Sequence, residues 1–145
     1  MQQLSFSDYE YNQRRKKTRR DYFLEEMDKL LPWDEWAELV APHYPTGSRG
    51  RKPQSIQRML KMYMLKDWFH LSDLSTEEAV YDSYSMKQFL KINFADNDQV
   101  PDSTTLCKFR QLLKKHCLDL IIYTQTKDIL REHKLQIRDG ILIQR

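Results

Sequence analysis

Residues 54–69, Gln54-Ser55-Ile56-Gln57-Arg58-Met59-Leu60-Lys61-Met62-Tyr63-Met64-Leu65-Lys66-Asp67-Trp68-Phe69, decide the fold class. Ile56, Met59, Leu60, Tyr63 and Met64 recur at i, i+3, i+4, i+7 and i+8, the spacing that lines one broad face of an α-helix. The run predicts a helix with that face in a core, and its methionines fill core volume rather than mark a cofactor site. Ahead of it, residues 43–53 hold Pro45, Gly47, Gly50 and Pro53, the turn-forming residues of a true loop.

Helical signals continue on both sides. Thr18 with Asp21 three residues on forms a capping box. It predicts a helix burying Phe23, Met27, Leu30 and Leu31 that ends before Pro32. A short helix follows from Trp33 to about Val40, with Trp36, Leu39 and Val40 inward and Pro42 as its stop. Beyond the central run, Ser75 and Glu78 read as a second capping box, and Ser85 restarts a turn through Met86, Phe89 and Leu90. Pro101-Asp102-Ser103-Thr104-Thr105 is a strong helix start, with Leu106, Phe109 and Leu113 on the buried face behind it. A last helix spans about Leu118 to His133. The predicted class is all-α. Trp36, Met59, Leu60, Tyr63, Phe89, Leu106 and Phe109 are the expected core.

The 145 residues suit one domain with a real core, and 40% hydrophobic against 31% charged residues is a globular balance. No apolar run reaches the roughly 20 residues that cross a bilayer, and the polar start Met1-Gln2-Gln3-Leu4-Ser5 is no signal peptide. Cys107 and Cys117 fall ten residues apart in one helical stretch, about 15 Å along a helix, which is too far for a disulfide. A reducing cytoplasm is the expected compartment.

The net charge of +3 hides strong blocks. Residues 14–20 carry six bases, and residues 21–41 carry seven acids against one lysine. Residues 49–66 have six bases and no acid, 73–102 seven acids and two bases, and 103–115 four bases and no acid. Three acid-free basic blocks are candidate phosphate contacts. Arg14, Arg15, Lys16, Lys17, Arg19 and Arg20 form a candidate arm. With residues 1–13, where Phe6, Tyr9 and Tyr11 stand among polar residues, it makes a segment 1–20 before the helical domain. Arg49, Arg51 and Lys52 lie in the loop, suited to backbone or minor-groove contact. Ser103, Thr104 and Thr105 offer a helix N-terminus to phosphate, and Lys108, Arg110 and Lys114 follow on the same helix.

Catalytic and metal chemistry has no comparable signal. His43, His70, His116 and His133 are scattered without zinc spacing, and His116 beside Cys117 points about 100° away from it. No phosphate-binding glycine loop or nucleophile elbow occurs. No catalytic residue, metal ligand or cofactor is expected.

Several segments in order resemble the N-terminal part of DDE-class insertion-sequence transposases of the insertion-sequence five family. They are Leu31-Pro32-Trp33, Tyr44-Pro45, Gly50-Arg51-Lys52-Pro53, Met59-Leu60, Trp68-Phe69-His70-Leu71-Ser72-Asp73, Glu78-Ala79-Val80-Tyr81-Asp82, Ser85-Met86, Phe89, Pro101-Asp102-Ser103-Thr104-Thr105 and Phe109-Arg110. The resemblance implies a helical domain, residues 21–135, that recognises terminal inverted repeats in double-stranded DNA. It also implies that residues 136–145 open an RNase H-like catalytic domain, so that the chain is a truncated portion of a strand-cleaving enzyme.

In that family the first catalytic strand runs from a glycine through apolar residues to an aspartate. Gly140-Ile141-Leu142-Ile143 stands in that place, with Gln144 at the carboxylate position. Glutamine is no anionic ligand for Mg²⁺, so the resemblance implies DNA binding without strand cleavage. A strand start alone cannot pair its backbone, so the residues after Gly140 are expected to be poorly anchored. The expected partner is double-stranded DNA, with a homodimer as an open assembly and no membrane. Two other roles compete: a repressor that occupies inverted repeats, and a helical protein-interaction module whose basic blocks only solubilise it.

Overall fold

The computed structural model describes residues 9–10, 13, 16–47 and 53–144. Phe6, Tyr11, Arg14, Arg15, Arg49, Arg51 and Lys52, named above, lie outside the described residues. From residue 19 on, seven α-helices follow in order among the described residues: α1 (Arg19–Leu30), α2 (Trp33–Val40), α3 (Ile56–Trp68), α4 (Asp73–Asp82), α5 (Tyr84–Leu90), α6 (Ser103–Lys115) and α7 (Leu118–Glu132). A hairpin of β1 (Leu135–Arg138) and β2 (Ile141–Gln144) comes after them. The fold is helical, as the periodicity predicts.

The central run forms α3, capped by the Ser55 hydroxyl, which accepts from the Arg58 N–H. It is more deeply placed than one amphipathic face would require. Met59, Leu60, Lys61, Met62, Met64, Leu65 and Trp68 are all buried, and α2, α4, α5 and α6 pack around them. With four helices around it, α3 sits at the domain's centre. Tyr63 and Ile56 are half-buried at its margins.

Six rings knit the helices together. Phe69, Phe23, Trp68, Phe89, Trp33 and Trp36 form a continuous ladder with centroids 5.2–5.9 Å apart, mostly edge to face. That range is where aromatic pairs add to the area they bury. Trp36 also donates to the Gln125 side chain at 2.7 Å, tying α2 to α7.

Several local expectations need correction. Leu39 faces out at 38% exposure, while Trp33 takes the buried place on α2. The cap of α4 is Ser72, not Ser75: the Ser72 hydroxyl accepts the Ser75 N–H, so the helix starts one turn earlier. Ser83 rather than Ser85 caps α5, and the Ser85 hydroxyl instead donates to buried Asp21. Cys117 is not in one helix with Cys107; it is left-handed, φ 55°, and separates α6 from α7.

The largest correction is at the C-terminal strand. It does not stand alone: β1 pairs with it antiparallel, Leu135 opposite Gln144 and Arg138 opposite Ile141. Asp139 and Gly140 both have positive φ, 49° and 74°, as a two-residue hairpin turn demands. Gly140 is needed twice over, because a Cβ there would come 2.4 Å from a Phe69 ring carbon. Ile141, Leu142 and Ile143 are half-buried, with Leu142 packed on the core, so this segment is anchored.

Candidate nucleic-acid interface

Helix α6 is built with two unlike faces. Asp102 caps it, its carboxylate accepting the Thr105 N–H at 2.7 Å. Leu106, Phe109 and Leu113 are buried against the core. The opposite face carries Thr104, Lys108, Gln111, Lys114 and Lys115, all exposed. Positions 104, 108, 111 and 115 follow the i, i+4, i+7, i+11 spacing of one helix face. No acid interrupts it, and neither Lys108, Lys114 nor Lys115 forms an ion pair with a described residue.

Both ends of α6 are held from within. At the N-terminus the Ser103 N–H donates to the Glu77 carboxylate at 2.6 Å. Glu77 and Asp102 therefore occupy two of the N–H groups that the sequence offers to phosphate, while Thr104 beside them is exposed. At the C-terminus the His116 ring stacks on His43 at 3.7 Å. Burial, then the charges of His43 and Lys115, hold the His116 imidazole below its ordinary pKa.

His43 ends the 3₁₀ turn Ala41–His43, from which the loop toward α3 departs. The Tyr44 hydroxyl donates to the Gln54 carbonyl at 2.7 Å, closing the loop's base, and the Tyr44 ring meets Phe109 edge-on at 6.1 Å. Tyr44, just after that turn, thus rests on α6.

The other basic candidates are placed differently. Arg110 turns from the outer face and grips Asp73 at the start of α4, Nε 3.2 Å and Nη2 2.7 Å from its two carboxylate oxygens. The Arg110 hydrogen bond holds the Asp73 carboxyl below the usual range, and Asp73 raises the guanidinium in turn. Lys17 pairs with Glu25 at 3.0 Å, which raises its pKa. Arg19 and Arg20 are in the first turn of α1, with Lys16 and Lys17 just before it. Arg20 lies over the Phe69 ring, 5.0 Å from the centroid. Since α1 packs mainly on α5 and β2, and α6 on α3, α4 and α7, these groups belong to separate surfaces.

Further exposed residues join those candidates. Lys115 and Gln111 complete the outer face of α6. Lys127 and Arg131 on α7, Lys134 in the turn after it and Arg138 on β1 are exposed and make no ion pair with a described residue. Helical geometry turns Lys127 about 100° from Asp128 and Arg131 about 100° from Glu132, while Arg131 stands one turn along from Asp128. Among the described residues no group of three or more His, Cys, Asp and Glu is placed to hold a metal. No described helix is long and apolar enough to cross a membrane.

The model of one protein family, described as a transposase domain (DUF772), matches residues 11–112, more than two thirds of the chain. The match runs from ahead of α1 into the last turn of α6. No solved structure matches the chain.

Proposed function

The chain belongs to the family of transposase domains, which gives it a role related to transposition, and we propose that it binds duplex DNA at an element's terminal inverted repeats through the outer face of α6. The observation that carries this reading is that face itself: three lysines, a glutamine and a threonine, exposed and free of acids on a helix fixed at both ends. A helix laid in the major groove reads base edges through such residues. Gln111 has the two-pronged chemistry that suits adenine, and Lys108 or Lys115 can donate to guanine. Lys114 and Thr104 at the margins contact phosphates, which fix register without reading sequence. Arg49, Arg51 and Lys52 add further candidate phosphate contacts. Arg110 supports the interface indirectly, by clamping α6 to α4.

Fluorescence anisotropy on duplexes carrying the element's ends, titrated with salt, tests the proposal. The paired change Lys108→Ala and Lys115→Ala should weaken binding and relax the base preference, and Lys114→Ala should reduce the log–log salt slope by about 0.9 for the phosphate it no longer neutralises. Unchanged affinity and slope, with helical circular dichroism intact, would remove α6 from the DNA surface. A protein-interaction module would show no salt-dependent DNA binding at all.

A further inference from the structure

A groove of about 580 Å³ is bordered by α3, α7 and β1. Leu135, Gln136 and Ile137 all line it, and no residue of β2 does. Successive side chains of a strand point to opposite faces, so it is the edge of β1 away from β2 that presents all three to one space. In a two-residue hairpin Arg138 and Ile141 exchange both hydrogen bonds, and pairing then alternates along the ladder. Gln136 thus turns its N–H and C=O toward Ile143, while those of Leu135 and Ile137 point outward. These outward groups form no hydrogen bond with a described residue, although both residues are half-buried. An unpaired strand edge is a template for another strand.

The α7 wall is a single row, Asp119, Tyr123, Lys127 and Arg131 at i, i+4, i+8 and i+12, and it runs from acid to base. Burial, then Asp67 and Asp119, raise the pKa of the Tyr63 hydroxyl, so Asp67 on α3 stands at the acidic end. At the basic end Lys127 covers the Tyr123 ring, 4.8 Å from its centroid. Asp67, Asp119, Lys127 and Arg131 form no ion pair with a described residue. Eight residues of helix separate Asp119 from Lys127, about 12 Å, which an extended chain covers in about four residues. Met64, Trp68, Ile122 and Leu130 supply apolar lining.

We propose that this groove takes an extended peptide segment of a partner protein, laid beside β1 as a third strand. The segment carries a cationic residue toward Asp67 and Asp119 and, about four residues away, an anionic one toward Lys127 and Arg131. The unpaired edge selects an extended backbone over a helix, whose N–H and C=O groups are already bonded to each other. The opposite charges at the two ends select the segment, because a wholly basic or wholly acidic one meets like charge at one end. Apolar side chains between the charges meet the apolar lining. The site does not include α6 and does not depend on the duplex-binding reading.

Titrating the full nitrogen-15-labelled chain with capped peptides tests the groove, since amide shifts report both place and affinity. The peptide Lys-Val-Thr-Val-Glu should shift the Leu135 and Ile137 amides. It should bind about twofold to fivefold more tightly than Lys-Val-Thr-Val-Lys or Glu-Val-Thr-Val-Glu, the effect of one exposed ion pair. Asp67→Asn with Asp119→Asn should remove its advantage over the doubly acidic peptide, and Lys127→Ala with Arg131→Ala its advantage over the doubly basic one. Alternate residues of an added strand face β1, so N-methylation separates strand pairing from mere apolar contact. Methylating the threonine nitrogen alone, or both valine nitrogens, should weaken binding in one form and spare it in the other. Equal behaviour of the two forms overturns the added strand, as does a failure of every peptide to shift Leu135 and Ile137. Concentration-dependent shifts of the same amides without peptide, with a dimer in sedimentation, would make a second copy the occupant and overturn the partner reading.

Discussion

Lys61 offers the sharpest test of how the core is held. Its side chain is 5% exposed at the middle of α3, yet its ammonium lies 2.6 Å from Asp28 Oδ1 and over the rings of Trp33 and Phe89, at 5.6 and 5.2 Å. Removing one partner of a fully buried ion pair costs about 3–5 kcal/mol, because the remaining charge is stranded. Two features reduce that figure. The Asp28 side chain is 41% exposed, so water already screens it. The two rings also continue to stabilise the ammonium, by about 0.5–2 kcal/mol each. Asp28→Ala should therefore cost about 2 kcal/mol.

Lys61→Met keeps the volume, removes the buried charge and leaves Asp28 hydrated, so it should stay within about 1 kcal/mol of the parent. Urea unfolding followed by circular dichroism, with a slope of about 2 kcal/mol/M, would show a midpoint loss near 1 M for Asp28→Ala and under half that for Lys61→Met. Equal losses, or a larger one for Lys61→Met, would refute the view that the stranded charge dominates.

Other substitutions probe the fold and its pH response. Phe109→Ala should cost about 3–5 kcal/mol, since the ring is 3% exposed, and a drop under about 1 kcal/mol by the same urea assay would contradict its packing. Lys91 ends α5 in the left-handed region at φ 57°, where an L-residue is strained by about 1–2 kcal/mol. Lys91→Gly should thus raise the calorimetric melting temperature by a few degrees, the backbone carbonyl that accepts from Arg58 being retained. Asp73 has its carboxyl pKa depressed chiefly by the Arg110 hydrogen bond. Its contribution to stability is therefore present above the unfolded value, about 3.9, and lost as pH falls through the folded one. Melting curves from neutral to acid pH should show Asp73→Asn lower near neutrality and converging with the parent in acid.

Much of the helical scaffold can be read from local chemistry. The Thr18–Asp21 box, the α3 periodicity and the Asp102 start of α6 are signals within four residues, and each forms as read. The misplaced caps show the limit of that reading. Ser72, Ser75, Ser83 and Ser85 are all chemically able to cap, and packing of Thr76, Val80, Met86 and Phe89 selects among them. The hairpin has a signal of its own, overshadowed by the aliphatic run after Gly140: Leu135, Ile137 and the pair Asp139-Gly140 alternate and turn as hairpins do.

For the candidate interface, charge blocks identify α6 because it contains no acids. They miss α7, where Lys127 and Arg131 stand next in sequence to Asp128 and Glu132. Nor could sequence separation foretell that Arg110 and Lys17 pair with Asp73 and Glu25, since those partners are chosen by the fold.

The aromatic ladder has a consequence for cooperativity. Its rings come from α1, α2, α5 and both α3 and its C-cap, so none of these helices can open without separating a ring from one held by another. They should behave as one foldon, with amides exchanging only through global unfolding. Helix α4 contributes no ring to the ladder, and α7 reaches it through the Trp36–Gln125 hydrogen bond. Hydrogen exchange should therefore divide this small domain into a protected inner set of helices and two outer ones, α4 and α7, that open first. The proposed duplex-binding face lies on the inner side of that line, because α6 is bound to the inner set through Phe109 and Leu113.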